Sequence, residues 1–142
     1  MKRQKWNDKA LSKRMERNIL ACYHRASQDD RLEGMHWYQT AHNDAVGIAQ
    51  RHGITVSAAC GVIAAISPGC AWGLNVQYAD TLVAAYVQGK RGRSLPCVGS
   101  YGWNNIRKCE HILDGINPLD VLSPKTGPKT RAFYILILNP SD

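Results

Sequence analysis

The segment Leu122-Ser123-Pro124-Lys125-Thr126-Gly127-Pro128-Lys129-Thr130-Arg131-Ala132 carries the residues best suited to chemistry. A tight glycine turn there leads into a helix that opens with lysine and threonine. The first N–H groups of a helix lack intrahelical acceptors, so they point outward and bind phosphate. Gly127 lets a phosphate come close, and Lys125, Lys129 and Arg131 supply the counter-charge, with the Thr130 hydroxyl beside them. The plain alternative is an ordinary helix–helix turn with exposed lysines. Other chemistries find less support. Glu33-Gly34-Met35-His36 has the spacing of half a di-iron site, without a second half. His24, His36, His42, His52 and His111 form no paired metal motif, so no metal is expected. No glycine-rich dinucleotide or Walker loop and no nucleophile elbow is present, so no cofactor is expected.

Charge points the same way as the turn. The chain of 142 residues has a formal net charge of +7, which favours polyanionic partners. Lys2, Arg3, Lys5, Lys9, Lys13, Arg14, Arg17 and Arg25 crowd residues 1–25, against Asp8 and Glu16. Lys90, Arg91, Arg93, Arg107, Lys108, Lys125, Lys129 and Arg131 crowd residues 90–131. Between residues 53 and 89 the only charge is Asp80. Two basic clusters thus flank a nearly uncharged centre, which reads either as a nucleic-acid surface or as solvated lysine and arginine.

The elements that must position these residues are helical almost throughout. Leu11, Met15, Ile19 and Cys22 recur at helical spacing, predicting a first helix over 8–26. A second runs over 30–52 and stops at Gly53. Thr55 is the N-cap of a third, 56–66, which is apolar on every side and so belongs at the centre of a bundle. Ser67-Pro68-Gly69 ends it. A fourth covers 72–88, a basic loop 89–102, a fifth helix 103–113, at most one turn 118–122, and a last helix 128–138 with Pro128 at its first position. The class is all-α, a single domain over 1–142 with basic helices in 1–52 and the main body in 53–142. Five scattered cysteines (Cys22, Cys60, Cys70, Cys97 and Cys109) form no CxxC pair, which argues for a reducing compartment. No apolar run is long enough for a membrane span, so no membrane role is expected and the cytoplasm is the expected location, that of the host if the chain is phage-encoded.

Tyr101-Gly102-Trp103-Asn104-Asn105-Ile106-Arg107-Lys108-Cys109-Glu110-His111-Ile112-Leu113, followed by Leu122 and Gly127-Pro128-Lys129-Thr130, resembles the helix-hairpin-helix (HhH-GPD-like) DNA glycosylase superfamily. That family places an aromatic-Asn-x-Lys helix before a hairpin of type Leu-Pro-Gly-Val-Gly-x-Lys-Thr. Upstream, Gly61-Val62-Ile63-Ala64-Ala65-Ile66-Ser67 and the helix with Asn75 and Ala79 are similar to its buried helix, loop and following helix. Ile66-Ser67-Pro68, Trp72-x-x-Asn75 and Asn105-x-x-Lys108 also look like a group of phage proteins of this layout. The resemblance spans residues 55–140. It implies a compact orthogonal helical bundle with a helix-hairpin-helix near the C-terminus, gripping the phosphate backbone of double-stranded DNA.

In catalytic members, a lysine at the position of Lys129 attacks the sugar and forms a Schiff base that permits strand cleavage. Such an amine must be desolvated or set beside other cations, here Lys125 and Arg131. The target base is flipped out and the gap filled, for which Trp72 or Trp103 would serve unless they are core. Ser67, Arg107 and Lys108 would touch the nucleic acid, and Asn75 and Asn105 would bridge helices or touch it too. The departures are specific. The hairpin is one residue longer, and Pro124 or Lys125 stands at its first glycine. Pro68-Gly69 replaces a glutamine, the family's four-cysteine cluster is lacking, and the Val-Asp-x-His segment with the catalytic carboxylate falls beyond Asp142. The expectation is therefore a DNA-binding protein of glycosylase type in shortened, non-catalytic form. Two alternatives are an active glycosylase or abasic-site lyase using Lys129, and a phage interaction protein that docks another protein or a second copy.

Overall fold

Thr55 decides where the central helix begins. In the computed structural model, which describes residues 13–14, 16–18, 28–68, 71–96, 102–125 and 127–140, its Oγ1 accepts the Ala58 N–H at 3.0 Å. That bond satisfies one of the donors a helix start leaves open. The helix it caps, Val56–Ala65 (α2), follows a longer one, Gln28–His52 (α1), which Gly53 ends at φ +69°. Then come Trp72–Val87 (α3), a 3-10 turn Gly92–Ser94, Trp103–Leu113 (α4), the single turn Pro118–Val121 (α5) and Pro128–Leu138 (α6). Asn117 caps α5 by accepting the Leu119 N–H at 2.9 Å, and Pro128 opens α6. Every regular element among the described residues is helical.

These elements match the sequence reading closely. The fifth and last helices have the expected ends, and the others differ by a residue or two. Of the predicted first helix, Lys13, Arg14, Glu16, Arg17 and Asn18 are described and helical; the rest of it lies outside the described residues. So do Cys22, Cys70, Cys97, Tyr101 and Thr126.

The centre is α2, buried from Ala59 to its cap Ile66. It is apolar on all sides, so each flank must meet another helix rather than water. α1, α4 and α6 lie along it, and α3 packs on α1 and α2. Small residues permit the close approach. A Cβ on Gly61 would stand 3.0 Å from Pro118 and 3.1 Å from Ile112. Polar ties then fasten the outer helices. His42 Nδ1 donates to the Ile137 carbonyl at 2.8 Å, and Ser57 and Tyr134 share a hydrogen bond at 2.8 Å. At the end of α1, Arg51 and His52 reach Asp80 of α3 at 3.0 and 2.8 Å. Burial works to raise the Asp80 carboxyl, but the hydrogen bonds and charges of His52 and Arg51 outweigh it and hold Asp80 below the usual carboxylate value.

Gly61→Val lowers stability by about 2–3 kcal/mol because the added carbons overlap Pro118 and Ile112. Gly73→Ala, at an exposed position of α3 with nothing within 4 Å, raises it by about 0.5 kcal/mol; urea unfolding measures both. For Asp80 the folded-state pKa is depressed, so its contribution is present at neutral pH and vanishes as pH falls below about 4 through the depressed value. Asp80→Asn costs about 1 kcal/mol at pH 7, given solvent screening, and the gap from wild type closes in acid. A gap that persists unchanged at low pH would contradict this account.

Candidate nucleic-acid interface

Helix α6 brings its first turn to the surface with Lys129 exposed, and Lys125 is exposed just before it. No acidic residue lies in that first turn, and no side chain caps it. Gly127 adopts φ −145°, a torsion open to any residue, so contact rather than backbone freedom requires the glycine. A Cβ there would stand 2.6 Å from the Thr130 Oγ1, which donates to the Gly127 carbonyl at 2.9 Å. The sequence reading gave this glycine to an approaching phosphate; its first neighbour is the Thr130 hydroxyl. The Gly127 N–H is also engaged, donating to the Ser123 carbonyl at 2.9 Å.

Arg131 differs from the sequence expectation. Its Nε donates to Glu16 at 2.9 Å, with both side chains less than a fifth exposed. Its Nη1 donates to the carbonyls of Leu119 and Leu122. A planar guanidinium with several fixed donors suits such multiple acceptance. Arg131 therefore ties the residue-16 segment and the α5 turn to α6, and its charge is matched by Glu16 rather than presented to a ligand.

Ser67 and Trp72 are likewise engaged. The Ser67 hydroxyl donates to the Ala64 carbonyl at 2.8 Å, closing the end of α2. Trp72 Nε1 donates to Asp44 at 3.1 Å. Its half-buried ring meets Trp37 edge-on with centroids 5.1 Å apart and Phe133 at 6.2 Å, a spacing typical of favourable aromatic pairs. Phe133 follows Lys129 by four residues on α6, so the two share one helix face. Lys129 thus stands one turn before Phe133, whose ring joins those of Trp37 and Trp72 and, through Trp37, Tyr38. Sequence spacing gave no hint of Trp37 or Phe133, because the rings come from three separate helices.

Arg107 and Lys108 belong elsewhere. They lie on α4, which packs along α2 as α6 does, and the two helices share no substantial interface. Arg107 shares a small cleft with Glu110 and with Arg93, which is set over the Trp103 ring at 5.3 Å. Trp103 therefore sits away from the α6 turn. Asn75 is fully buried, and its Oδ1 has no hydrogen-bond partner among the described residues; Asn105 is half-buried. Burial pushes the Cys60 and Cys109 thiols up to about 12, so neither is a nucleophile at neutral pH. Among the described residues no three metal-ligating side chains come together, and no helix is long and apolar enough to cross a membrane.

The basic residues of α6 should separate by stability. Arg131→Gln leaves Glu16 and two carbonyls short of a donor and costs about 2 kcal/mol. Lys129→Gln, at an exposed position, stays within about 0.5 kcal/mol of wild type. Thermal and urea unfolding of both variants checks this, and equal effects would remove the distinction.

No curated protein and no solved structure matches this chain. A family model described as "Family of unknown function (DUF7178)" matches residues 1–142, and the chain belongs to that family.

Proposed function

We propose that this is a DNA-binding protein that holds the phosphate backbone of a duplex at the start of α6, in the manner of a helix-hairpin-helix. The observation that carries the reading is the exposed Lys129, opening a helix with no acidic residue in its first turn, one turn before Phe133, whose ring meets those of Trp37 and Trp72. The helix start favours an anion through its open N–H groups and dipole. Lys125 adds charge on the approach, and the net charge of +7 adds a long-range attraction. Thr130 serves the turn rather than the ligand, since its hydroxyl is bound to Gly127.

Binding stands ahead of catalysis. A lysine that forms a Schiff base needs neighbouring cations or desolvation. Lys129 is exposed, and Arg131, one of the two neighbouring cations expected to activate it, is paired with Glu16. The lyase reading keeps Lys129 as its only named nucleophile.

The test is a salt series of binding to duplex DNA, with and without an abasic-site analogue. Each phosphate contact releases counterions, so Lys129→Ala should lower affinity and reduce the slope of log K against log salt by about one unit. Lys125→Ala should act in the same direction. Borohydride trapping on a natural abasic duplex should give no covalent adduct. An adduct that disappears in Lys129→Ala would move the protein to the lyase class. Absence of binding at low salt would end the DNA reading and turn attention to a protein partner at the exposed Trp37.

A further inference from the structure

We infer that the DNA-contacting surface at the start of α6 continues onto the residue-16 segment, where Lys13 and Arg17 hold the same duplex from the other flank and Glu16 positions them. This rests on the DNA reading above. Glu16 and Arg131 meet at 2.9 Å across 115 residues of sequence, with both side chains less than a fifth exposed. Arg131 is fastened in turn to the Leu119 and Leu122 carbonyls, so the pair seats the segment against α6 and the α5 turn. Residues 13, 14, 16, 17 and 18 are helical. At about 3.6 residues per turn, Lys13 and Arg17 lie about 60° and 100° round from Glu16, on one side of it. Arg14 lies about 160° away, nearly opposite the contact.

Charge and spacing favour a duplex. Lys13, Arg14 and Arg17 are exposed, and none pairs with a carboxylate among the described residues. The Glu16 charge is matched by Arg131, so the segment presents a positive field. Asp120, exposed beside Leu119, brings one opposing charge. Lys13 and Arg17 stand within one turn of Glu16, roughly 5 Å along the axis, so they belong to the same patch as the contact. Lys129 and Arg131 are two residues apart, about 200° round α6. Lys129, on the face of Phe133, and the Glu16 contact therefore stand on opposite flanks of that helix. A helix with its side chains is about 10–12 Å wide, close to the roughly 12 Å of a major groove. Cations on its two flanks thus stand at about the spacing of the strands bordering a groove, with the helix start between them. A small anion would meet one flank only, whereas phosphates repeated along two strands meet both.

Binding of the full chain to duplex DNA across a salt series tests this, with Lys129→Ala marking the α6 contact. Lys13→Gln and Arg17→Gln should each reduce the slope of log K against log salt by about one unit, while Arg14→Gln leaves it unchanged. Glu16→Ala separates positioning from net charge. It removes a negative charge, so a surface acting through net charge alone would bind more tightly. Release of the segment instead weakens binding and reduces the slope by up to about two units, one for each cation that Glu16 positions. Thermal unfolding checks that every variant is folded at the temperature of the measurement. A slope that falls in Lys129→Ala but holds in Lys13→Gln and Arg17→Gln would overturn this inference and leave the DNA reading standing. Tighter binding by Glu16→Ala, or an effect of Arg14→Gln equal to those of its neighbours, would overturn it as well. A wild-type chain that ignores duplex DNA at low salt would end the DNA reading and this inference with it.

Discussion

At Gly61 a methyl group would stand only 3.0–3.1 Å from the corner formed by Ile112 and Pro118, so those side chains would have to give way. That approach is the tightest expression of a wider constraint: α2 has no charged residue, and α1, α4 and α6 all lie along it. Its small residues, Ala59, Gly61, Ala64 and Ala65, set how near these helices come. Its large ones, Val62, Ile63 and Ile66, are fully buried, and each contributes roughly 1.5–3 kcal/mol of apolar burial. A centre of this kind fixes the orientation of everything around it. Each outer helix must turn its apolar stripe to α2, so its charges face outward whatever their use.

Net charge alone therefore says little here, and the partners of each basic residue say more. Arg131 meets Glu16 and two carbonyls, Arg51 meets Asp80, and Arg91 lies over the Tyr86 ring at 3.5 Å while donating to the Tyr86 carbonyl. These three guanidinium groups join helices or close their ends. Tyr86 in turn donates to Asp114, fastening the end of α3 to the end of α4. Among the described residues Arg93 and Arg107 meet no carboxylate, although Arg93 lies over the Trp103 ring, and Lys129 is exposed. A charge already matched and held by several hydrogen bonds is costly to redirect, so the proposed recognition rests on residues outside these ties.

Helix ends were legible because their causes are local. Thr55 caps within three residues, Gly53 and Gly115 supply left-handed torsions, and Pro118 and Pro128 begin α5 and α6. Where no such signal stands, as at the start of α1, the reading drifts by two residues. The central place of α2 was legible from its all-round apolar pattern. The site was legible only in part. Lys129 and the turn are contiguous in sequence, but the partner that removes Arg131 from the site is 115 residues away. Asp44, which holds Trp72, lies 28 residues upstream on another helix. Composition carries no trace of either pairing. The same holds for Arg93 over Trp103, which depends on how the basic loop folds back on α4.

Lysine is a compact charge on a flexible stem, suited to phosphates whose positions vary, and at α6 it works beside a helix start that favours any anion. Contacts of that kind position a nucleic acid without reading its sequence. On the proposed function, affinity for duplex DNA therefore centres on α6 and falls with salt. The packing of α6 along α2 decides where that helix start stands.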